Sequence, residues 1–362
     1  MGSVFRWQKE RMQKGINTTG WLLATPRPGP EDFAAAFPAE TVDWSALASP
    51  PPSGVQAMWV GHATVLAQVG GATFLTDPVF SDRCSPLQCM GPKRVTPPAL
   101  TATSPELSRL DFVCISHNHY DHLDRLSVLA LAKRFPELKW YVPLGLASWF
   151  SDHKISNVEE LDWWESRHHA LPDGSHLEVV FTPAQHWSAR ALWSKKESLW
   201  GGWAVRAFEK EETKSGSSGA PRPSASFWFA GDTGYCPVFK TIGERLGPFD
   251  LAAIPTGAYE PRWMMRPQHV DPEEAVQIHR DVRSMRSMAV HLATFCLTDE
   301  AMDEPILRLH QALLDAGLDP DEFLTVRRGS VFHVQDGAFA KRPAVLSPEH
   351  VAQAAPAAGA AA

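Results

Sequence analysis

Cysteine is scarce in this 362-residue chain and falls in no useful pattern. Cys84, Cys89, Cys114, Cys236 and Cys296 are odd in number and include no C-x-x-C pair. That argues against a disulfide framework and against a thiolate zinc site, so a reducing compartment is expected. A local Cys84–Cys89 bridge is the one exception the spacing leaves open. Long apolar runs are missing as well, so no segment is expected to cross a bilayer. The first residues lack the apolar core of a signal peptide, which points to an intracellular protein. Met1-Gly2 begins like an acylation signal, but Arg6 stands where that signal wants Ser or Thr. Positive charge is also short: 34 Lys and Arg face 41 Asp and Glu, a net charge of −7. The overall field does not favour nucleic acid or an anionic membrane, so any attraction to an anionic partner must be local.

What is present is a globular balance, with 44% apolar and 21% charged residues. Residues 1–56 read as an N-terminal arm and linker. Phe5, Trp7, Met12 and Ile16 alternate there with Arg6, Lys9, Arg11 and Lys14, and prolines follow. Such an arm packs on the body or lies at a membrane surface. Regular patterning runs from 57 to 335, read as one domain. Met58–Val60, Val65–Val69, Ala72–Leu75, Asp111–Ser116, Trp140–Val142, Leu177–Phe181, Leu199–Phe208, Phe227–Ala230, Leu251–Ile254, Met288–Val290 and Val331–Val334 read as strands. Gly70-Gly71 reads as a hairpin turn. Leu126–Arg134, Pro272–Val282 and Glu304–Ala316 read as helices, the last two capped by Asp271 and Asp303. Glu209–Ser226 looks like a solvated insertion. The Ala- and Pro-rich residues 336–362 look like a disordered tail. Strands in runs, then alternating with helices, give an α/β fold class.

The chemistry is concentrated in Ser116-His117-Asn118-His119-Tyr120-Asp121-His122, just after an apolar strand. In an extended loop His117 and His119 point the same way, because side chains alternate with period two. Asp121 and His122 lie past the turn, within reach of a second cation. Imidazole and carboxylate donors suit zinc or iron. One loop cannot complete two sites, so further donors are expected at other strand ends: His186, Asp232 and His291. Asp77, before Pro78, either orients a ligand histidine from behind or caps a turn. His62 either lines the pocket or is a satisfied structural histidine. His153, His168, His169, His176, His279, His310, His333 and His350 have no convergent context. The 14 tryptophans read as core rather than substrate platform.

The ordered set His117-x-His119-x-Asp121-His122, His186, Asp232, His291 resembles the metallo-β-lactamase superfamily. The resemblance implies an αββα sandwich with two Zn(II) ions at one sheet edge. His117, His119 and His186 would hold the first ion, Asp121, His122 and His291 the second, and Asp232 would bridge both. The longer segments Trp59–Thr64, Phe74–Pro78, Met90–Arg94, Val142–Leu146, Leu161–Glu165, Phe229–Pro237 and Gly257–Trp263 are similar to the N-acyl-phosphatidylethanolamine-hydrolysing phospholipase D family. That likeness implies a zinc-dependent phosphodiesterase yielding N-acylethanolamine and phosphatidic acid, working peripherally on the cytosolic face of membranes, with a homodimer possible. It implies substrate contacts from Tyr120, Gln268 and His269, and proton handling by Asp121 or Asp232. It places Arg190 near the pocket entrance, with Ala189 where the family has a basic residue. Two alternatives stay open: another hydrolase on the same scaffold, such as a sugar-phosphate lactonase, and a non-catalytic metal- or lipid-binding protein.

Overall fold

A computed structural model describes residues 29–171, 174–190, 197–209 and 223–354. The basic aromatic segment Phe5–Ile16, most of the Glu209–Ser226 insertion and the last residues of the tail lie outside the described residues. Fifteen strands follow one another among those described: β1 (Val55–Gly61), β2 (Thr64–Val69), β3 (Ala72–Thr76), β4 (Phe112–Cys114), β5 (Lys139–Pro143), β6 (Val158–Leu161), β7 (Ser166–Ala170), β8 (His176–Pro183), β9 (Gly201–Phe208), β10 (Ala225–Phe229), β11 (Phe249–Pro255), β12 (Ser284–Val290), β13 (Phe323–Leu324), β14 (Val331–Gln335) and β15 (Ala338–Lys341). They form two sheets, ordered β15-β14-β1-β2-β3-β4-β5-β6 and β13-β12-β11-β10-β9-β8-β7.

The pleat explains why the first sheet is buried on both faces. Along β1, Val55, Ala57 and Trp59 enter one apolar cluster while Met58 and Val60 enter another. In β2, Val65, Ala67 and Val69 part from Leu66 in the same way, and in β4, Phe112 and Cys114 part from Val113. One cluster fills the space between the sheets and the other lies under outer helices, which is the αββα arrangement expected. Helix α3 (Arg125–Arg134), third in chain order after α1 (Pro30–Ala36) and α2 (Trp44–Leu47), covers the outer face with Val128 and Leu131. Helix α4 (Ala147–Asp152) contributes Phe150. The second sheet is covered by α5 (Val238–Arg245), α7 (Pro272–Asp281) and α8 (Glu304–Asp315), with the short α6 (Arg262–Met265) between α5 and α7.

The Gly70-Gly71 turn closes β2 onto β3 with Val69 opposite Ala72. Asp271 caps α7 by accepting from the Glu274 N–H. Asp303 does not cap α8: its backbone is already helical and its side chain makes no cap bond. The arm and tail also depart from expectation. Two short helices, α1 and α2, occupy part of the arm, and the tail supplies β15 and helix α9 (Pro348–Ala354). Leu346 and Val351 reach the main core, anchors that the Ala-rich composition hides.

Candidate metal centre

Seven donor side chains named from sequence come together at the edge where strands of both sheets end. The His117–His122 turn follows β4, His186 follows β8, Asp232 follows β10 and His291 follows β12. His62 and Asp77, after β1 and β3, join them. Three of these residues hold the left-handed backbone: His62 at φ 53°, Asp77 at 34° and His291 at 61°. Each such conformation costs about 1–2 kcal/mol for a residue with a Cβ. The strain turns the chain sharply just as the strand ends, which aims the side chain along the edge. Before Asp232 the turn is made by Gly231 at φ 64°; a Cβ there would lie 2.7 Å from the Gly201 carbonyl and 2.8 Å from Ser116 Cβ.

Two groups of donors result. His117 Nε2 lies 2.8 Å from His119 Nδ1, and His186 Nε2 lies 3.2 Å from the same atom. In the second group His291 Nε2 and His122 Nε2 lie 3.4 and 3.5 Å from Asp121 Oδ2. Asp232 Oδ2 stands between the groups, 3.0 Å from His122 Nε2, 3.1 Å from His291 Nε2 and 3.9 Å from His186 Nε2. His122 Nε2, His291 Nε2 and Asp232 Oδ1 are buried without a hydrogen-bond partner among the described residues. Buried polar atoms left bare cost free energy unless something binds them. Three clustered imidazole nitrogens in one group, and two carboxylates with two imidazoles in the other, fit divalent cations.

The groups behind these donors fix their tautomers. Asp77, with no solvent exposure, accepts from His122 Nδ1 at 2.7 Å, from Ser116 N–H at 2.7 Å and from Ser116 Oγ at 2.5 Å. Ser116 Oγ also lies 2.9 Å from His117 Nδ1. His186 Nδ1 donates to the Gln268 carbonyl at 2.8 Å. In each case the far nitrogen, Nε2, is left to face the site. Asp77 is therefore more than a turn cap. His62 Nε2 lies 3.0 Å from Asp121 Oδ2, while its carbonyl accepts from the His291 N–H and from Trp59 Nε1. It organises the pocket wall rather than sitting apart in the core.

Burial pushes His117 and His186 well below their ordinary range, lowers His119, and takes His62 to about 3 and His269 to about 4. Burial also opposes the charged form of His122 and His291, but Asp232 and Asp121 outweigh it. They hold His122 well above the usual value and lift His291 to about 9. Burial would raise Asp121 and Asp232, yet the neighbouring imidazoles hold both well below the carboxylate range. Without a cation, the second group balances its two carboxylates only by protonating imidazoles.

The expected substrate residues are placed unevenly. His269 is central: its Nε2 is 3.9 Å from Asp232 Oδ2 and its Nδ1 is buried without a hydrogen-bond partner. Gln268 is held at the rim, its Oε1 accepting from Trp187 Nε1 at 2.5 Å. Tyr120 donates to the Arg190 carbonyl at 2.6 Å, and the Arg190 guanidinium lies over its ring. Ser116, Trp187 and Thr294, whose hydroxyl accepts the His62 N–H, had no local signal to mark them as site residues. The remaining histidines stay outside the donor groups found among the described residues. The five cysteines are free, Cys84 buried and Cys89 exposed. Trp59, Trp140, Trp203 and Trp228 are core.

Comparison with known proteins adds a second line of observation. A family model described as a β-lactamase superfamily domain matches residues 72–292. N-acyl-phosphatidylethanolamine-hydrolyzing phospholipase D 1 of Caenorhabditis elegans is 42% identical over 293 residues, covering 78% of this chain and 77% of that protein. The mitochondrial N-acyl-phosphatidylethanolamine-hydrolyzing phospholipase D of Saccharomyces cerevisiae is 34% identical over 249 residues, 68% of this chain and 49% of that protein. Among solved structures, isothiocyanate hydrolase from Delia radicum gut bacteria superposes with a TM-score of 0.56 at 17% identity. That match covers 77% of this chain and 99% of the other, and speaks to the fold alone.

Proposed function

Because the chain belongs to the β-lactamase superfamily and, within it, to the N-acyl-phosphatidylethanolamine-hydrolysing phospholipase D family, we propose that it is a metal-dependent phosphodiesterase. Its substrate is N-acyl-phosphatidylethanolamine and its products are N-acylethanolamine and phosphatidic acid. The observation that carries this reading is the position of Asp232, within 3.9 Å of donor nitrogens from both histidine groups. His117, His119 and His186 would hold one Zn(II) ion and Asp121, His122 and His291 a second, with Asp232 available to both. Such ions, when bound, supply Lewis-acid stabilisation of phosphodiester oxygens and make water more acidic.

The chain's own groups do the rest. Asp77 and His62 fix His122 and Asp121. Asp121 or Asp232 takes the proton from the attacking water and passes it to the N-acylethanolamine oxygen as its P–O bond breaks. His269, neutral at ordinary pH because burial holds it near 4, offers a buried ring nitrogen to a phosphate oxygen. Tyr120 and Gln268 shape the rim. The hydrolase unit spans 57–335, with the arm at 1–56 leading into it and the strand and helix of 338–354 packed on it. The partner surface is a lipid bilayer. No helix among the described residues is long and apolar enough to cross a membrane, and the docking proposed is peripheral. Trp263, 83% exposed, and Met264, also exposed, stand just before Gln268 and His269 and offer an apolar docking surface.

The test is a panel of phosphodiester lipids and sugar-phosphate lactones offered to metal-loaded and chelator-stripped protein. The expected result is release of N-acylethanolamine by the loaded protein alone. Turnover of lactones with none of the lipid would overturn the assignment.

A further inference from the structure

The Arg190 guanidinium is bonded to the backbone of another loop. Its Nη1 donates to the Asn118 carbonyl at 2.9 Å and to the Leu123 carbonyl at 2.8 Å. Those two carbonyls bracket His119, Tyr120, Asp121 and His122, so one nitrogen closes the turn that carries three of the proposed donors. The turn's own backbone closes it only from inside, through the His122 and Leu123 N–H groups to the His119 carbonyl. Arg190 is also gripped in return. Tyr120 Oη donates to the Arg190 carbonyl at 2.6 Å, and the guanidinium lies 4.3 Å from the Tyr120 ring and 5.3 Å from the Trp149 ring.

The position in the chain adds to this. Arg190 comes four residues after His186, on the loop leaving β8 of the second sheet, while the bracketed turn leaves β4 of the first. The same residue therefore ties the loop that supplies His186 to the loop that supplies His119, Asp121 and His122. A planar guanidinium held close to two aromatic rings suits that task, because its donor directions are fixed before any ligand arrives. A freely extended Arg at a pocket mouth would instead keep its N–H groups in solvent or on an anion.

We infer that Arg190 is a positioning residue, which presets the His117–His122 turn against His186 so that the donor groups are spaced for their ions before these bind. It touches neither substrate nor ion. The inference rests on the dinuclear reading above. It also gives Tyr120 a second task, since its hydroxyl is held by the Arg190 backbone.

The experiment uses the full chain as R190K and R190A, with Y120F as a milder variant that removes only the hydroxyl contact. Zinc is titrated in competition with a chromophoric chelator, and lipid turnover is split into kcat and KM. Wild type is expected to bind two ions. R190K is expected to lose about 10-fold to 100-fold in zinc affinity, the range seen when a group behind a metal ligand is removed. kcat should fall with it, KM should stay within about twofold, and Y120F should show a smaller loss in the same direction. Should R190A not fold, R190K and Y120F decide the matter. Unchanged zinc affinity in R190K, or a raised KM with normal kcat, overturns the inference and makes Arg190 a substrate contact. If wild type itself binds no zinc, the dinuclear reading has failed instead.

Discussion

Asp77→Asn should remove one ion from the centre and leave the other. Asp77 accepts three hydrogen bonds in a site without solvent: from Ser116 N–H, Ser116 Oγ and His122 Nδ1. Asparagine keeps the shape but has one acceptor oxygen and one amide donor. Its oxygen stays with the Ser116 N–H, which has no other partner to turn to, and its amide then faces His122 Nδ1. The imidazole answers by changing tautomer. Nδ1 becomes the acceptor, and the proton moves to Nε2, the atom 3.0 Å from Asp232 Oδ2. A protonated nitrogen cannot ligate. The same amide meets Ser116 Oγ, which accepts from it and goes on accepting from His117 Nδ1 2.9 Å away, so His117 keeps its tautomer. Losing the group behind a ligand costs about 10-fold to 100-fold in affinity, or about 1.4–2.8 kcal/mol. The assay is zinc titration against a competing chelator, with metal content measured after dialysis. Wild type should keep two ions and D77N one, with a matching fall in kcat. Two tightly held ions and full turnover in D77N would refute the tautomer argument. A loss confined to the His117 group would refute it equally.

Three further outcomes can be checked. Asp232→Asn removes the carboxylate shared by both groups, so turnover should drop by at least about 100-fold and metal content should fall at both positions, read by steady-state kinetics and elemental analysis. Gly231→Ala places a Cβ 2.7 Å from the Gly201 carbonyl at φ 64°, so the melting temperature should fall by several degrees, consistent with about 1–2 kcal/mol of strain before any clash is counted. The metal-free protein should be most stable near pH 6.5. His117, His186, His62 and His269 have folded-state values below 6.5, so their contribution is lost as pH falls below it; His122 and His291 lie above, so theirs is lost as pH rises through the raised values, about 9 for His291. Melting curves from pH 5 to 9 with and without zinc would show the peak, and a flat metal-free profile would contradict it.

The parts of the fold legible in the chain were those with strong periodicity. The hairpin around Gly70-Gly71 and the buried runs after it carry their own pattern, and so did the His117–His122 loop. Short edge strands left little trace. Ser166–Ala170 reads Ser-Arg-His-His-Ala and is half exposed, so no apolar alternation marks it. Val238–Arg245 contains Gly243, which reads as a helix breaker; there it lets the helix pass close to the Asp281 carbonyl, where a Cβ could not fit. Asp77 and His62 were visible as candidates because each sits at a strand end, but sequence could not choose between roles that depend on what faces them. Arg190 was named from the family likeness, but its hold on the turn was not legible, because its partners Asn118 and Leu123 lie 72 and 67 residues away.

The donors hang from different layers, His117 to His122 from the first sheet and His186, Asp232 and His291 from the second. An ion seated among them is thus a clasp as well as a reagent. Starved of metal, the protein should loosen from that rim inward, as a book opens from its unbound side, while the far ends of the strands stay shut. Amide exchange would rise first in the loops after β4, β8 and β10, giving the cell's proteases a way to tell a loaded enzyme from an empty one before either is fully unfolded.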